Sequence, residues 1–546
     1  MSLSFAPVQY NFNVGFIAGN VARASALYGL AATAKADLAI FSEMAITGYP
    51  PEDLVLSRHF QELSMEAVEE LAKKTMQGTA ILIGGLWREN DALYNTVFLL
   101  DDGKIIHRQY KHHLPNYGVF DEKRVFERGP MPEPVEWRGV KLGLLICEDM
   151  WLPDVAAHLK ARGAELLICI NASPYELGKA NQRVAVATQR ARETGLPIIY
   201  VNQIGGQDDL VFDGSSFVLD ASGKLCMQMH TFKEDLALIP CAKQGNTWQP
   251  EMSVMRPQPG ELESMYGAMM LGLRDFVEKN GYKGVVIGIS GGIDSILSSV
   301  IAADALGGDR VHMIMMPSPV TSRESIEDSA ECARRIGARL DTIPIEPGMK
   351  AFHEMFAPFA DEKLYIREAN NQTRIRGALL MAISAQERAL LLTTGNKSEL
   401  ATGFMQLYGD MSGQYCVLKD VYKTTEYKLA KWRNTQSEVI PQYAITRPPS
   451  GETVPNQTDQ DILPPYELLD EILFRMVEQH LSVEEVIAQG FDRGVVEKIS
   501  TMLFHAEYKR RQSAPGVKLT SMSFWRDRRY PITSIWQGKK LVLPET

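Results

Sequence analysis

Cys147, Glu43 and Lys111 each stand where an apolar run ends or a loop begins: Cys147 in LLICEDMW (144–151), Glu43 after LAIFS (38–42), Lys111 in YKHHLPNYGVFDE (110–122). A thiol near its free pKa is mostly protonated at neutral pH. A cysteine that attacks an amide therefore needs a base to take its proton and a cation to receive the developing oxyanion. Glu43 can be that base and Lys111 that cation. Taken singly, Cys147 reads as a core cysteine and the other two as surface charges. Taken together they point to amide chemistry.

A second constellation lies at 288–295, GISGGIDS, after the apolar run of GVVIGIS (284–290) and before the helical pattern ILSSVIAADAL (296–306). Gly288, Ile289, Ser290, Gly291, Gly292, Ile293, Asp294 and Ser295 form a loop whose amides, with the helix N-terminus behind them, suit phosphate or pyrophosphate. The loop is not a Walker A motif, since no GK[ST] follows, and it lacks GxGxxG spacing. A carboxylate such as Asp294 beside phosphate implies a cation between them, and magnesium is expected.

These groups need scaffolds. Over the first ~240 residues short apolar runs, LAIF (38–41), ILIGGLW (81–87), VKLGLLIC (140–147), ELLICINA (165–172), IIYVNQ (198–203) and SSFVLD (215–220), alternate with helical stretches such as ELSMEAVEELAKKTMQ (62–77). Such alternation predicts an α/β domain over 1–242. The polar, Pro-bearing stretch 243–261 predicts a linker. A second α/β series over 262–546 opens with a helix near 262–279 and continues through strands at 284–290, 311–317, 340–345 and 389–395.

The chain has 546 residues, 45% hydrophobic and 23% charged, the balance of a folded multidomain protein. Its net charge of −10 argues against generic affinity for nucleic acid or anionic lipid and leaves small substrates as the default. Six scattered cysteines show neither a disulfide framework nor zinc spacing, and no secretory or membrane-spanning pattern is seen, so a cytoplasmic location is expected.

The second loop resembles the PP-loop of ATP pyrophosphatases, which cut ATP between the α and β phosphates, and TTGNKSELATGFMQLYGD (393–410) resembles the NAD synthetase branch of that group. The likeness implies a Rossmann-like parallel-sheet domain with Thr394 on ATP, and Glu399 joining Asp294 around magnesium or the dinucleotide. A Thr ending a strand and an acid opening the next helix would stand at the carboxyl edge of such a sheet, where ligands bind. REANNQTRIRGALL (367–380) places Asn370 on deamido-NAD, and EYKRRQSAPGVK (507–518) places Lys509 there, with Arg510 and Arg511 as further candidates.

The first domain resembles the nitrilase superfamily, whose thiol amidases carry a Glu, Lys, Cys triad on an α-β-β-α sandwich, and is closest to the branch that transfers glutamine amide nitrogen. That likeness implies that Tyr117, Ser173 and Lys179 bind L-glutamine, with Glu122 either a second acid or a plain loop carboxylate, and Glu148 of the same standing. Both likenesses in this order belong to the glutamine-dependent NAD synthetases. They imply ATP-dependent amidation of deamido-NAD through an adenylated nicotinate carboxylate, with ATP as co-substrate and magnesium as cofactor. Family members form homo-oligomers, octamers among them, so a homo-oligomer is expected. The rival reading is a carbon-nitrogen hydrolase whose second domain only senses nucleotide.

From His505 to Thr546 nine Lys and Arg face three acids. A solvated tail, a subunit contact or an anionic ligand would each account for that excess.

Overall fold

The apolar runs of the first half become strands because each is covered on both faces, by a facing sheet on one side and by helices on the other. The computed structural model describes residues 1–546 apart from Met76, Gln77, Asn246, 360–363, Glu452, 455–457, Trp525 and 537–546; at Phe359 and 364–368 only the backbone is described. The chain divides into two units, Met1–Glu261 and Leu262–Thr546.

The first unit begins β1 (Ser2–Gln9), α1 (Ile17–Thr33), β2 (Leu38–Ile40), α2 (Arg58–Ala72), β3 (Ala80–Glu89), β4 (Ala92–Asp101) and β5 (Lys104–Tyr110). Next come β6 (Val135–Trp137), β7 (Val140–Ile146), the short α3 (Glu148–Trp151), α4 (Pro153–Ala161), β8 (Leu166–Asn171), α5 (Lys179–Thr194) and β9 (Ile198–Asn202). It ends with β10 (Ile204–Gln207), β11 (Leu210–Asp213), β12 (Phe217–Leu219), β13 (Leu225–Gln228), β14 (Asp235–Leu236), β15 (Ile239–Gln244) and β16 (Thr247–Pro250).

One sheet runs β16-β15-β1-β2-β3-β4-β5 with β14 also on β1, and the other runs β13-β12-β9-β8-β7-β6. Phe5, Leu38 and Ile40 of the first meet Leu142, Leu144 and Ile146 of the second in a buried core. The outer face of the first sheet packs on Tyr28, Val68 and Leu71 of α1 and α2, and that of the second on Val155, Leu159 and Ala187 of α4 and α5. The result is an α-β-β-α sandwich, as expected.

The linker expectation is corrected at its N-terminal half. Lys243 and Gln244 of β15 and Thr247–Pro250 of β16 belong to the sheet edge: Cys241 pairs with Pro250 and Lys243 with Trp248, and the Trp248 ring is fully buried between the sheets. Four residues at an edge, with Pro at the last, are too short for a periodic signal, and an edge strand tolerates the proline.

The second unit comprises α6 (Glu261–Lys279), β17 (Val285–Ile289), α7 (Ile293–Leu306), β18 (Val311–Met315), α8 (Arg323–Ile336), β19 (Arg339–Thr342), α9 (Glu346–Phe356), α10 (Leu364–Glu387) and β20 (Leu390–Thr393). It continues with α11 (Lys397–Thr402), β21 (Tyr415–Cys416), α12 (Lys423–Gln436), α13 (Gln442–Thr446), α14 (Tyr466–Val477), α15 (Val483–Ala488), α16 (Arg493–His505) and α17 (Glu507–Arg510). Its sheet, β19-β18-β17-β20-β21, is parallel throughout. Val285 of β17 pairs with Val311 on one side and Leu390 on the other, so the strand order reverses at β17. The loops leaving β17 and β20 open on the crevice where open α/β sheets bind ligands. A separate apolar cluster joins Leu400 of α11 to Leu469, Leu473, Val486, Val496 and Ile499 of the C-terminal helices.

Candidate active sites

In the first unit Glu43, Lys111 and Cys147 converge, each at a strand end. The Lys111 ammonium lies 2.7 Å from Glu43 Oε1 and 2.9 Å from Glu122 Oε1, and all three side chains are buried. Asn95 Nδ2 donates to the same Glu43 oxygen at 2.8 Å, and the Ala172 amide donates to Glu43 Oε2 at 2.9 Å. Gly84 of β3 permits this placement. A Cβ there would stand 2.3 Å from the Met44 nitrogen and 2.7 Å from the Glu43 Cα, closer than any side chain tolerates.

Cys147 has φ 47° and ψ −94°, a sparsely populated conformation for a residue with a side chain. Its amide donates to the Ile170 carbonyl at 2.9 Å, which fixes the turn between β7 and α3. Asp149 fastens the neighbourhood, accepting from the Ile146 amide at 3.1 Å and from the His113 amide at 2.8 Å, so that one carboxylate holds both the Cys147 turn and the loop after Lys111.

Burial, reinforced by the charge of Glu43, pushes the Cys147 thiol well above its ordinary range, so it rests protonated. Burial opposes the Lys111 ammonium, yet Glu122 and Glu43 hold it well above the usual lysine range. Burial pushes Glu122 up to about 7, against the pull of Lys111. Tyr49 donates to Glu122 at 2.9 Å. Glu122 is therefore inside the constellation.

Three expected glutamine contacts surround the turn. The Tyr117 hydroxyl donates to Glu148 at 2.9 Å, and the Lys179 ammonium sits 4.5 Å above the Trp151 ring, so both are tied to α3. Ser173 is buried, its Oγ accepting from Arg183 Nε at 3.1 Å while Arg183 pairs with Asp213 at 2.7 Å. Asn95, Asp149, Arg183 and Asp213 were not singled out from sequence, because isolated polar residues in strands and loops carry no spacing signal.

In the second unit Ser290 to Ser295 wrap the N-terminus of α7. Gly291 has φ 76°, and a Cβ there would come within 2.6 Å of the Ser325 carbonyl. Ser290 Oγ accepts from the Gly292 amide at 3.3 Å and Ser295 Oγ donates to the Gly292 carbonyl at 3.0 Å, so the loop is held by its own hydroxyls.

Asn396 brings Asp294 and Glu399 together. It caps α11 by accepting from the Glu399 amide at 2.9 Å, its own amide donates to Glu399 Oε2 at 3.0 Å, and its Nδ2 donates to Asp294 Oδ1 at 2.8 Å. Thr394 directly follows β20, half-buried, two residues before Asn396. Lys423, the first residue of α12, donates to Asp294 Oδ2 and lies 3.5 Å from Glu426, which is fully buried. Burial works against ionised Asp294, but the Lys423 ammonium holds it below the usual carboxylate range. Burial and the charge of Asp294 push both Glu399 and Glu426 well up. Half-buried Asp294 and Glu399, with buried Glu426 behind them, gather hard carboxyl oxygens around one ammonium, a donor set that fits a divalent cation such as magnesium.

Asn370 lies half-buried on α10. Lys509 turns inward to the carbonyls of Gly403 and Met405, each at 2.6 Å. The expectation of ligand contacts from the neighbouring arginines meets a different use. Arg510 is buried and bonded to the carbonyls of Leu400 and Ala401 at 3.0 and 2.9 Å, and Arg511 donates to Glu507 at 3.2 Å and to the Tyr530 carbonyl at 3.0 Å. Arg528 also meets Glu507, and Lys518 pairs with Asp527 at 2.7 Å, so much of the C-terminal charge excess is internal. Lys539 and Lys540 lie outside the described residues.

A buried Glu, Lys, Cys arrangement on a four-layer sandwich, followed by a glycine loop at the reversal point of a parallel sheet, defines a nitrilase-like hydrolase joined to an ATP-using synthase domain. The carbon-nitrogen hydrolase family model matches residues 5–245 and the NAD synthase model residues 265–513. The glutamine-dependent NAD(+) synthetase of Rhodobacter capsulatus is 46% identical over 541 residues, covering 97% of this chain and 98% of the other. That of Acinetobacter baylyi is 42% identical over 542 residues, covering 98% and 99%. The solved glutamine-dependent NAD+ synthetase of Acinetobacter baumannii, in complex with adenosine diphosphate, superposes with a TM-score of 0.79 at 39% identity, covering 99% of this chain and 100% of that one. The chain belongs to the glutamine-dependent NAD(+) synthetases.

Among the described residues no helix is long and apolar enough to cross a membrane.

Proposed function

We propose that the two constellations carry the two half-reactions of glutamine-dependent NAD synthesis, and that the convergence of Glu43, Lys111 and Cys147 in one buried network is the observation that carries the reading. Glutamine enters over α3, where Tyr117 with Glu148, Ser173 and Lys179 offer polar contacts to its amino and carboxylate groups. Glu43 takes the proton of the Cys147 thiol, and the thiolate adds to the amide carbon. The Cys147 amide is engaged by Ile170, so the oxyanion falls to Lys111. Glu43 returns the proton to the amide nitrogen, the carbon–nitrogen bond breaks, and ammonia leaves a γ-glutamyl thioester. Water deprotonated by Glu43 then adds to the thioester, releasing glutamate and restoring the thiol.

In the second unit the loop Gly288–Ser295, with Thr394, holds the ATP phosphates. Asn370, Glu399 and Lys509 face the deamido-NAD. An oxygen of the nicotinate carboxylate attacks the α-phosphorus and the bond to the β-phosphate breaks, leaving pyrophosphate on the loop amides. Ammonia then adds to the acyl adenylate, loses a proton, and AMP departs to give NAD. Asp294 and Glu399 would hold magnesium, which supplies positive charge against the triphosphate. The assay that tests the whole reading supplies ATP, magnesium, deamido-NAD and glutamine and follows NAD and pyrophosphate together. Equal yields of the two are expected, and glutamine hydrolysis without NAD would overturn it.

A further inference from the structure

Lys423 and the proposed cation ligand Asp294 are in direct contact, and this poses a problem for cation binding. An ammonium on a carboxylate competes with a divalent cation for the same oxygens, and the two positive charges repel strongly in a buried site. Lys423 cannot escape to water, because its side chain is 2% exposed. It must find another acceptor within the protein.

The neighbouring carboxylates are mostly engaged. Asp459 accepts from the Tyr466 hydroxyl at 2.8 Å, Asp470 from Ser398 Oγ and the Thr424 amide, and Glu399 from the Asn396 amide. Glu426 differs. It is fully buried, no N–H or hydroxyl of the described residues donates to its oxygens, its carboxyl lies against that of Asp294, and Lys423 Nζ stands 3.5 Å away, one turn back on α12. Tyr466, whose ring lies 5.7 Å from the ammonium, closes the pocket without offering a full negative charge.

We propose that Glu426 is a positioning residue that receives the Lys423 ammonium when a divalent cation takes Asp294. A modest shift of the Lys423 head exchanges one carboxylate partner for the other, so the ammonium stays paired and Asp294 is released to the metal. Glu426 thereby acts on the cation only through Lys423. This rests on the reading of Asp294 as a cation ligand.

The test uses the full-length enzyme with Mn2+ as probe, free ion counted by electron paramagnetic resonance, with and without α,β-methylene-ATP. Glu426→Gln should weaken Mn2+ binding roughly ten- to a hundredfold, since a buried ammonium is left without a charged partner. Glu426→Asp, which keeps the charge but sets it back by one methylene, should weaken it less. It serves as the deciding variant if the glutamine form does not fold. In a Lys423→Met background neither substitution should change Mn2+ affinity further. Unchanged affinity in Glu426→Gln, or an equal loss in the Lys423→Met background, would overturn the proposal, the second by making Glu426 a direct ligand. If Asp294→Asn binds Mn2+ as tightly as the unsubstituted enzyme, the cation-site reading itself fails and this inference falls with it.

Discussion

The Lys509 ammonium donates to the Gly403 carbonyl at 2.6 Å, closing the C-terminal end of the short helix that begins beside Glu399. The proposed substrate contact and helix capping therefore compete in one side chain. Lys509→Ala should raise the Michaelis constant for deamido-NAD more than those for ATP and glutamine. It should also lower the melting temperature, because a charged hydrogen bond contributes about 1.5–3 kcal/mol. Steady-state kinetics on each substrate with a melting curve check both, and equal weakening for all three would leave only the cap.

Cys147→Ala should abolish glutamine-dependent synthesis while synthesis from high ammonium chloride persists, since the nucleophile serves the first half-reaction alone. The ratio of the two rates is the measurement. Loss of both would mean that the half-reactions do not separate as described.

Gly84→Ala presses a methyl group against the backbone of Glu43 and Met44. Displacing a catalytic base by about 1 Å can cost on the order of a hundredfold in rate. Glutaminase turnover should drop by that order with ammonia-dependent synthesis retained, and an unaltered glutaminase rate would show that the loop yields elsewhere.

Glu122 gives the first unit a pH signature. Its folded pKa, pushed up to about 7 by burial, lies above the ordinary 4.5 of a free chain. Between those values the folded state keeps a proton that the unfolded state has lost, so raising the pH through this window removes stability. Glu122→Gln cannot ionise and loses nothing. From pH 5 to 8 the melting temperature of the unsubstituted enzyme should therefore fall relative to that of Glu122→Gln, whereas parallel curves would place Glu122 in an ordinary environment.

Asp294→Asn should cripple the ammonia-dependent and glutamine-dependent reactions alike, because a neutral amide is a poor ligand for magnesium and a poor partner for Lys423. Glutamine hydrolysis should continue at a basal rate. Normal NAD production by this variant would contradict the assignment.

Strands with unbroken apolar runs, such as Leu166–Asn171 and Val285–Ile289, were legible in the sequence because burial on both faces leaves a strong local pattern. The edge pair β15 and β16 was not, since its register depends on pairing with β1, more than 230 residues away in the chain. Glu43, Lys111 and Cys147, which the fold brings together, stood out in the sequence because the proposed amide chemistry restricts their residue types. Asn95 and Asp149 could not, because their work is to hold other groups and any polar side chain of the right reach would look the same. The work of Arg510, a candidate ligand contact in the sequence, was hidden for a related reason: its long side chain reaches carbonyls about 110 residues earlier in the chain.

Asn396 ends one strand connection, starts one helix and grips the first turn of another through Asp294. A residue with so many duties makes folding and chemistry inseparable at this point of the sheet. A substitution there would be scored as an inactive protein in one assay and as an unstable protein in another, with a single cause behind both. A search for stabilising variants of this enzyme is therefore better directed away from the β20–α11 junction, where an altered helix start would reach Asp294 and the melting curve together.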